Sequence, residues 1–73
     1  MSDDHSKLIR MASQMAQFFT TQPDRPAAQA VAAHINESWT PRMRKDFVTQ
    51  IRAGAEADPV LREAADFIHL PAA

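Results

Sequence analysis

Apolar residues recur at helical spacing in four stretches of the chain, with proline between them. In the first stretch Leu8, Met11, Ala12, Met15, Phe18 and Phe19 follow the i, i+3, i+4, i+7 rule of an amphipathic helix. Ile9 and Ala16 widen the stripe to about half of the cylinder at 100° per residue, and Lys7, Arg10, Gln14 and Gln17 fill the other half. Asp3 and Asp4 suit the positive end of a helix dipole. The pattern therefore predicts a helix over about 4–20.

Thr20 to Pro23 breaks that pattern. Asp24 or Arg25 is the expected cap of a second helix over 25–38, with Pro26 in its first turn, where a missing N–H costs little. Its expected buried stripe is Ala27, Val31, His34, Ile35 and Ser38, flanked by Ala28 and Trp39. Thr40-Pro41 is the sharpest boundary. Thr40 suits an N-cap, Pro41 suits the first helical position, and proline pushes the residue before it out of the α region. A third helix over 41–53 should bury Met43, Phe47, Val48 and either Gln50 or Ile51. Gly54, the single glycine, stands where a left-handed residue closes a helix. Asp58-Pro59 repeats the cap-then-proline signal and opens a fourth helix over 59–69, with Leu61, Ala64, Ala65 and Ile68 as its stripe and Val60 and Phe67 on an adjoining face. Pro71 ends it, and Pro71 to Ala73 should fray. The expected fold is all-α, a small bundle of three to four short helices in one domain over 1–73, with breaks at 22–24, 39–41 and 54–58.

Composition narrows the picture further. One glycine and five prolines argue against a hairpin-rich fold, and 45% hydrophobic with 23% charged residues is a globular balance. The chain has no cysteine, so neither a disulfide nor a thiolate metal site staples it. No apolar run approaches the roughly 18 residues of a membrane span, and no segment has the pattern of a signal peptide. A domain of 73 residues buries only about 60% of its unfolded surface, which makes it a candidate for life inside a complex.

The candidate chemistry is sparse. His5, His34 and His69 include no i, i+4 pair; His34 with Glu37, and Asp66 with His69, share helix faces at i, i+3, but two ligands do not close a zinc site. There is no glycine-rich phosphate loop, no H-E-x-x-H and no nucleophile elbow. The carboxylates of Glu63 and Asp66 stand on a domain too small to enclose a substrate pocket of about 300 Å³ or more. No catalytic, cofactor-binding or metal-binding residue is therefore assigned, and the chain is not expected to be an enzyme on its own.

Arg42, Arg44 and Lys45 make the one basic cluster, and Arg42, Lys45, Thr49 and Arg52 line a helix side opposite Met43 and Phe47. A recognition helix for nucleic acid is one reading of this stripe. Asp46 interrupts it, the segment holding Glu56, Asp58, Glu63 and Asp66 against Arg62 carries −3, and the whole chain is at −1. Phosphate affinity needs a net positive footprint, so a small helical nucleic-acid-binding regulator is the alternative and a protein partner the preferred reading. The apolar surplus agrees: four short helices seldom cover two-sided helices, and aromatic and arginine residues are the usual anchors. Trp39, Arg42, Met43 and Arg44 gather at one sharp turn; with Phe18 and Phe67 they are the expected partner interface. The other reading of Trp39 is a filler of the corner between the second and third helices.

The run Lys7-Leu8-Ile9-Arg10-Met11-Ala12-Ser13-Gln14-Met15-Ala16 with Phe18-Phe19, then Ala30-Val31-Ala32, His34-Ile35 and Trp39-Thr40-Pro41-Arg42-Met43-Arg44, resembles the delta subunit of soluble NAD-dependent formate dehydrogenases. Ala53-Gly54, Asp58-Pro59 and Glu63-Ala64 complete the order, so the resemblance spans about Lys7 to Ala64. Ser13, Ser38 and Thr40 depart from the family pattern, as does the low glycine content after Gly54. The resemblance implies a noncatalytic accessory subunit of a cytoplasmic hetero-oligomer that docks on the large alpha subunit and supports its assembly or stability. It further implies that alpha carries molybdenum or tungsten as a bis-pterin guanine dinucleotide together with iron–sulfur clusters. Beta and gamma then carry FMN, further clusters and the NAD site, and electrons pass from formate to NAD. No cofactor is expected on this chain. An assembly chaperone that leaves before the enzyme matures is a third possibility.

Overall fold

A computed structural model describes residues 3–22 and 25–70 of the chain. Four helices follow one another: α1 (Asp3–Phe19), α2 (Ala27–Ser38), α3 (Pro41–Arg52) and α4 (Pro59–Ala65). Among the described residues there is no strand. The all-α bundle is as the apolar periodicity predicts.

The local signals explain most of the boundaries. Thr40 is extended (φ −67°, ψ 159°), as its place before proline requires, and its hydroxyl accepts the Met43 N–H at 3.2 Å. At the other end of α3, Gly54 has φ +97°. Its N–H donates to the Ile51 carbonyl and the Ala55 N–H to the Gln50 carbonyl, both at 3.1 Å, which is the paired closure of a Schellman motif. The C-terminus of α1 has no glycine. Thr20 and Thr21 close it with their hydroxyls, which donate to the carbonyls of Gln17 and Phe18 at 3.0 and 2.7 Å.

Four expectations need correction. α2 begins at Ala27, not at residue 25, because the following proline keeps Arg25 out of the helical region; extended Pro26 is itself the cap residue (ψ 136°). Asp24, the other expected cap, lies outside the described residues, as do the expected fraying of Pro71–Ala73 and part of the 22–24 break. The buried face of α2 keeps the expected Val31 and Ile35 with the flanking Ala28 and Trp39 and adds Ala30 and Ala32, but it is rotated away from His34 and Ser38, which are exposed. The reason is that α2 lies against both α1 and α4 and buries two flanks, with alanines allowing close approach. The Asp58 side chain makes no capping hydrogen bond, although its carbonyl accepts from Leu61 and Arg62.

The fourth correction concerns the end of α4, which stops at Ala65, short of the expected 69. The N–H groups of Asp66, Phe67 and Ile68 turn to carbonyls three residues back, at 3.1, 2.9 and 3.4 Å, so the backbone tightens and leaves the axis. Asn36 of α2 takes over from there. Its amide Nδ2 donates to the Phe67 carbonyl at 3.2 Å and its Oδ1 accepts the His69 N–H at 2.8 Å. One side-chain amide thus replaces a stretch of helix ladder and holds Ile68 in the core at 7% exposure.

The core centres on Phe47, Ile35, Leu61 and Val31, all fully buried. Each such side chain contributes about 1.5–3 kcal/mol of transfer free energy. Trp39 meets Phe47 edge-on, with ring centroids 5.8 Å apart and planes at 89°, in the corner between α2 and α3. Ala12 and Ala16 of α1 press against this core with almost no exposure.

Candidate interface

α1 carries two parallel rows of apolar residues, each at alternating three- and four-residue spacing. The inner row is Ile9, Ala12, Ala16 and Phe19; the outer row is Leu8, Met11, Met15 and Phe18. The two rows lie one residue apart, and both touch the core, the inner row most closely through its two alanines. The inner row turns inward through its alanines. The outer row is left half-buried at Leu8, Met11 and Met15 and ends at Phe18, which is 59% exposed.

Two open grooves run along this outer row and share Met11. The first lies between α1 and the start of α3, where Leu8, Met11 and Met43 form apolar walls and Lys7, Arg42 and Asp46 are the charged lining residues. The second lies between α1 and α2, lined by Met11, Met15, Phe18, Phe19 and His34. The Phe18 and Phe19 rings pack edge-to-face at 5.2 Å, and the His34 ring lies tilted, 6.5 Å from Phe19. Methionines on such a surface adapt to an irregular partner through their unbranched, polarisable side chains.

The six residues expected at an interface are placed unequally. Arg42 and Met43 line the first groove and Phe18 the second, so these three lie along the pair of grooves beside the outer row, which together form a shallow trough. Trp39 is inside, 5% exposed, in the corner-filling position. Arg44 is part-buried, and one nitrogen of its guanidinium donates to the carbonyls of Asn36 and Trp39, both at 3.1 Å. A cation there also suits the negative end of the α2 dipole. Phe67 (44% exposed) lies apart from the trough with Leu70 (46%), on the segment that Asn36 holds. Leu8, Met11 and Met15 belong to the apolar half-cylinder that periodicity predicts; they pack against the core on one side and wall the grooves on the other. Nothing in the sequence marks Asn36.

A larger groove, of ≈730 Å³, lies on the other side of α1, lined by Ile9, Arg10, Gln50 and the Ala53–Glu56 turn. It contains no aromatic side chain and carries charges of both signs. Among the described residues no three His, Asp or Glu side chains come together as metal ligands, and no helix is long and apolar enough to cross a membrane. Arg52 and Asp66 form an ion pair at 3.9 Å, with both side chains largely in solvent.

The chain matches a protein-family model over residues 7–65, from the first basic residue of α1 to the last residue of α4. That family is described as the NADH-dependant formate dehydrogenase delta subunit, FdsD. No curated protein matches the chain.

Proposed function

We propose, since the chain belongs to the family of NADH-dependent formate dehydrogenase delta subunits, that it is a noncatalytic accessory subunit which docks on the large alpha subunit of a cytoplasmic complex and supports its assembly or stability. The observation that carries this reading is the outer row of α1. A bundle of 73 residues has built its core and still presents two apolar grooves in succession along α1, with Phe18, 59% exposed, at one end. Such a surface gains free energy when a partner covers it.

The groups that the family implies for the whole enzyme are a molybdenum or tungsten pterin centre, iron–sulfur clusters and FMN. This chain's residues do not fit the metal-bearing groups. It has no cysteine to ligate a cluster, and among its described residues no set of three metal-ligating side chains converges. On the proposed reading those groups sit in alpha, beta and gamma, and this chain contributes packing.

The test is purification of the enzyme through a tag on its large subunit, followed by quantification of this chain across ion-exchange and size-exclusion steps. A constant stoichiometric ratio supports a resident subunit. Presence only on cofactor-poor, immature large subunit indicates an assembly chaperone. Absence from every fraction refutes the reading.

A further inference from the structure

We infer that the trough along the outer row of α1 receives an amphipathic helix of the large subunit whose apolar face is flanked by carboxylates; the inference rests on the subunit reading above and names its docking surface. Leu8, Met11, Met15 and Phe18 stand at alternating three- and four-residue intervals, the spacing at which one helix offers holes to the knobs of another. From Leu8 to Phe18 the row runs about 15 Å at 1.5 Å per residue, which matches about three turns of an incoming helix. The two grooves follow one another along α1 and share the Met11 side chain, so a rod-shaped partner that spans both fits better than a compact ligand in one of them.

Charge separates the possible occupants. From Lys7 to Gln22 the chain has two basic residues and no carboxylate. Lys7 and Arg42 stand on the α1 and α3 sides of the first groove, with Asp46 its one acidic lining residue. Four of the nine carboxylates, Glu56, Asp58, Glu63 and Asp66, lie after α3 in the sequence. A second copy docked antiparallel on the same row would bring Gln17 and Thr21 toward Lys7, and a parallel copy would bring Lys7 against Lys7. A second copy also brings the same groove lining, Lys7 and Arg42 against one Asp46, so cations outnumber carboxylates on both sides, whereas an acid-flanked helix complements both cations and leaves the uncharged Phe18 end to apolar contact. The ≈730 Å³ groove behind α1 is balanced, with Arg10 against Glu56, whereas the first groove has two cations against one carboxylate.

The experiment uses the assembled complex. A photoreactive phenylalanine analogue is placed at position 18 and, separately, at position 67; the complex is purified through the large subunit, irradiated and digested. The expected crosslink joins position 18 to a large-subunit peptide with acidic residues at helical spacing, with none from position 67. Phe18→Glu should lower the amount of this chain retained at least tenfold, because it places a carboxylate on the apolar row. The circular dichroism of that variant should be unchanged, since Phe18 is already 59% exposed. Lys7→Glu combined with Arg42→Glu should lower retention about tenfold at low salt, and retention of the unmodified chain should fall as salt rises. Phe67→Ser with Leu70→Ser should be retained in full. The inference is overturned if Phe18→Glu stays stoichiometric, if position 18 crosslinks to a second copy of this chain, or if only position 67 crosslinks. Absence of the unmodified chain from complex purified at low salt would instead refute the subunit reading itself, so the two failures are distinguishable.

Discussion

Trp39 and Phe18 both stand at the C-terminal end of a helix, and the two ends are finished in different ways. The end of α2 is closed by the rest of the fold. Trp39 packs on Phe47 from α3, Arg44 of α3 takes the carbonyls of Asn36 and Trp39, and the Asn36 side chain holds the segment after α4. The end of α1 is closed by its own threonines, and Phe18 rests edge-on against its neighbour Phe19. An end completed by distant residues is committed to the interior, and changing it disturbs the whole bundle. An end completed locally keeps its outer face free for something else. The two aromatics are therefore expected to fail in opposite assays, one in folding and the other in association.

The strongest way to break this contrast is Trp39→Ala. Removing a buried tryptophan should cost about 3–5 kcal/mol, most of the stability of a domain this small, and urea unfolding of the isolated chain should show it. A near-native midpoint would place Trp39 with Phe18 among the surface residues. Next in size is Arg44→Ala, which leaves the Asn36 and Trp39 carbonyls without their cation. About 1.5–3 kcal/mol is expected for charged hydrogen bonds. The result should fall toward the lower end, because the Arg44 Nε is buried without an acceptor and part of its desolvation is already uncompensated. Thermal melting measures this, and Arg44→Lys should recover only part of the loss, since an ammonium lacks the planar fork.

Smaller effects sharpen the comparison. Thr40→Ala should lose about 1 kcal/mol by removing the cap on the Met43 N–H, again read from the melt. Phe18→Ala should change the stability of the isolated chain by about 0.5 kcal/mol or less, as expected at an exposed position, while weakening retention in the enzyme complex. A large destabilisation by Phe18→Ala would show that the Phe18–Phe19 pair belongs to the fold and would remove the distinction between the two ends.

Helix number, order and most boundaries were legible in the chain, because they rest on interactions within a few residues. Thr40-Pro41 and Gly54 act through backbone preference and neighbouring N–H groups, so their consequences follow from local sequence alone. The apolar surplus of α1 was legible too, as a stripe widened to about half of the cylinder. Which row would turn inward was not, since Ile9–Phe19 and Leu8–Phe18 have the same spacing and comparable hydrophobicity. Packing decided it: two alanines let α1 approach the core closely, and the larger methionines were left at the rim. The rotation of α2 away from His34 and Ser38 has the same origin, because one helix wheel cannot show that α1 and α4 press on two flanks. Asn36 is the clearest case, since its partners Phe67 and His69 lie 31 and 33 residues away and no local pattern announces them. Spacing along the chain determined which residues would be helical and which would be apolar; contact across the chain decided which of the apolar residues were left over, and those are the ones available to a partner.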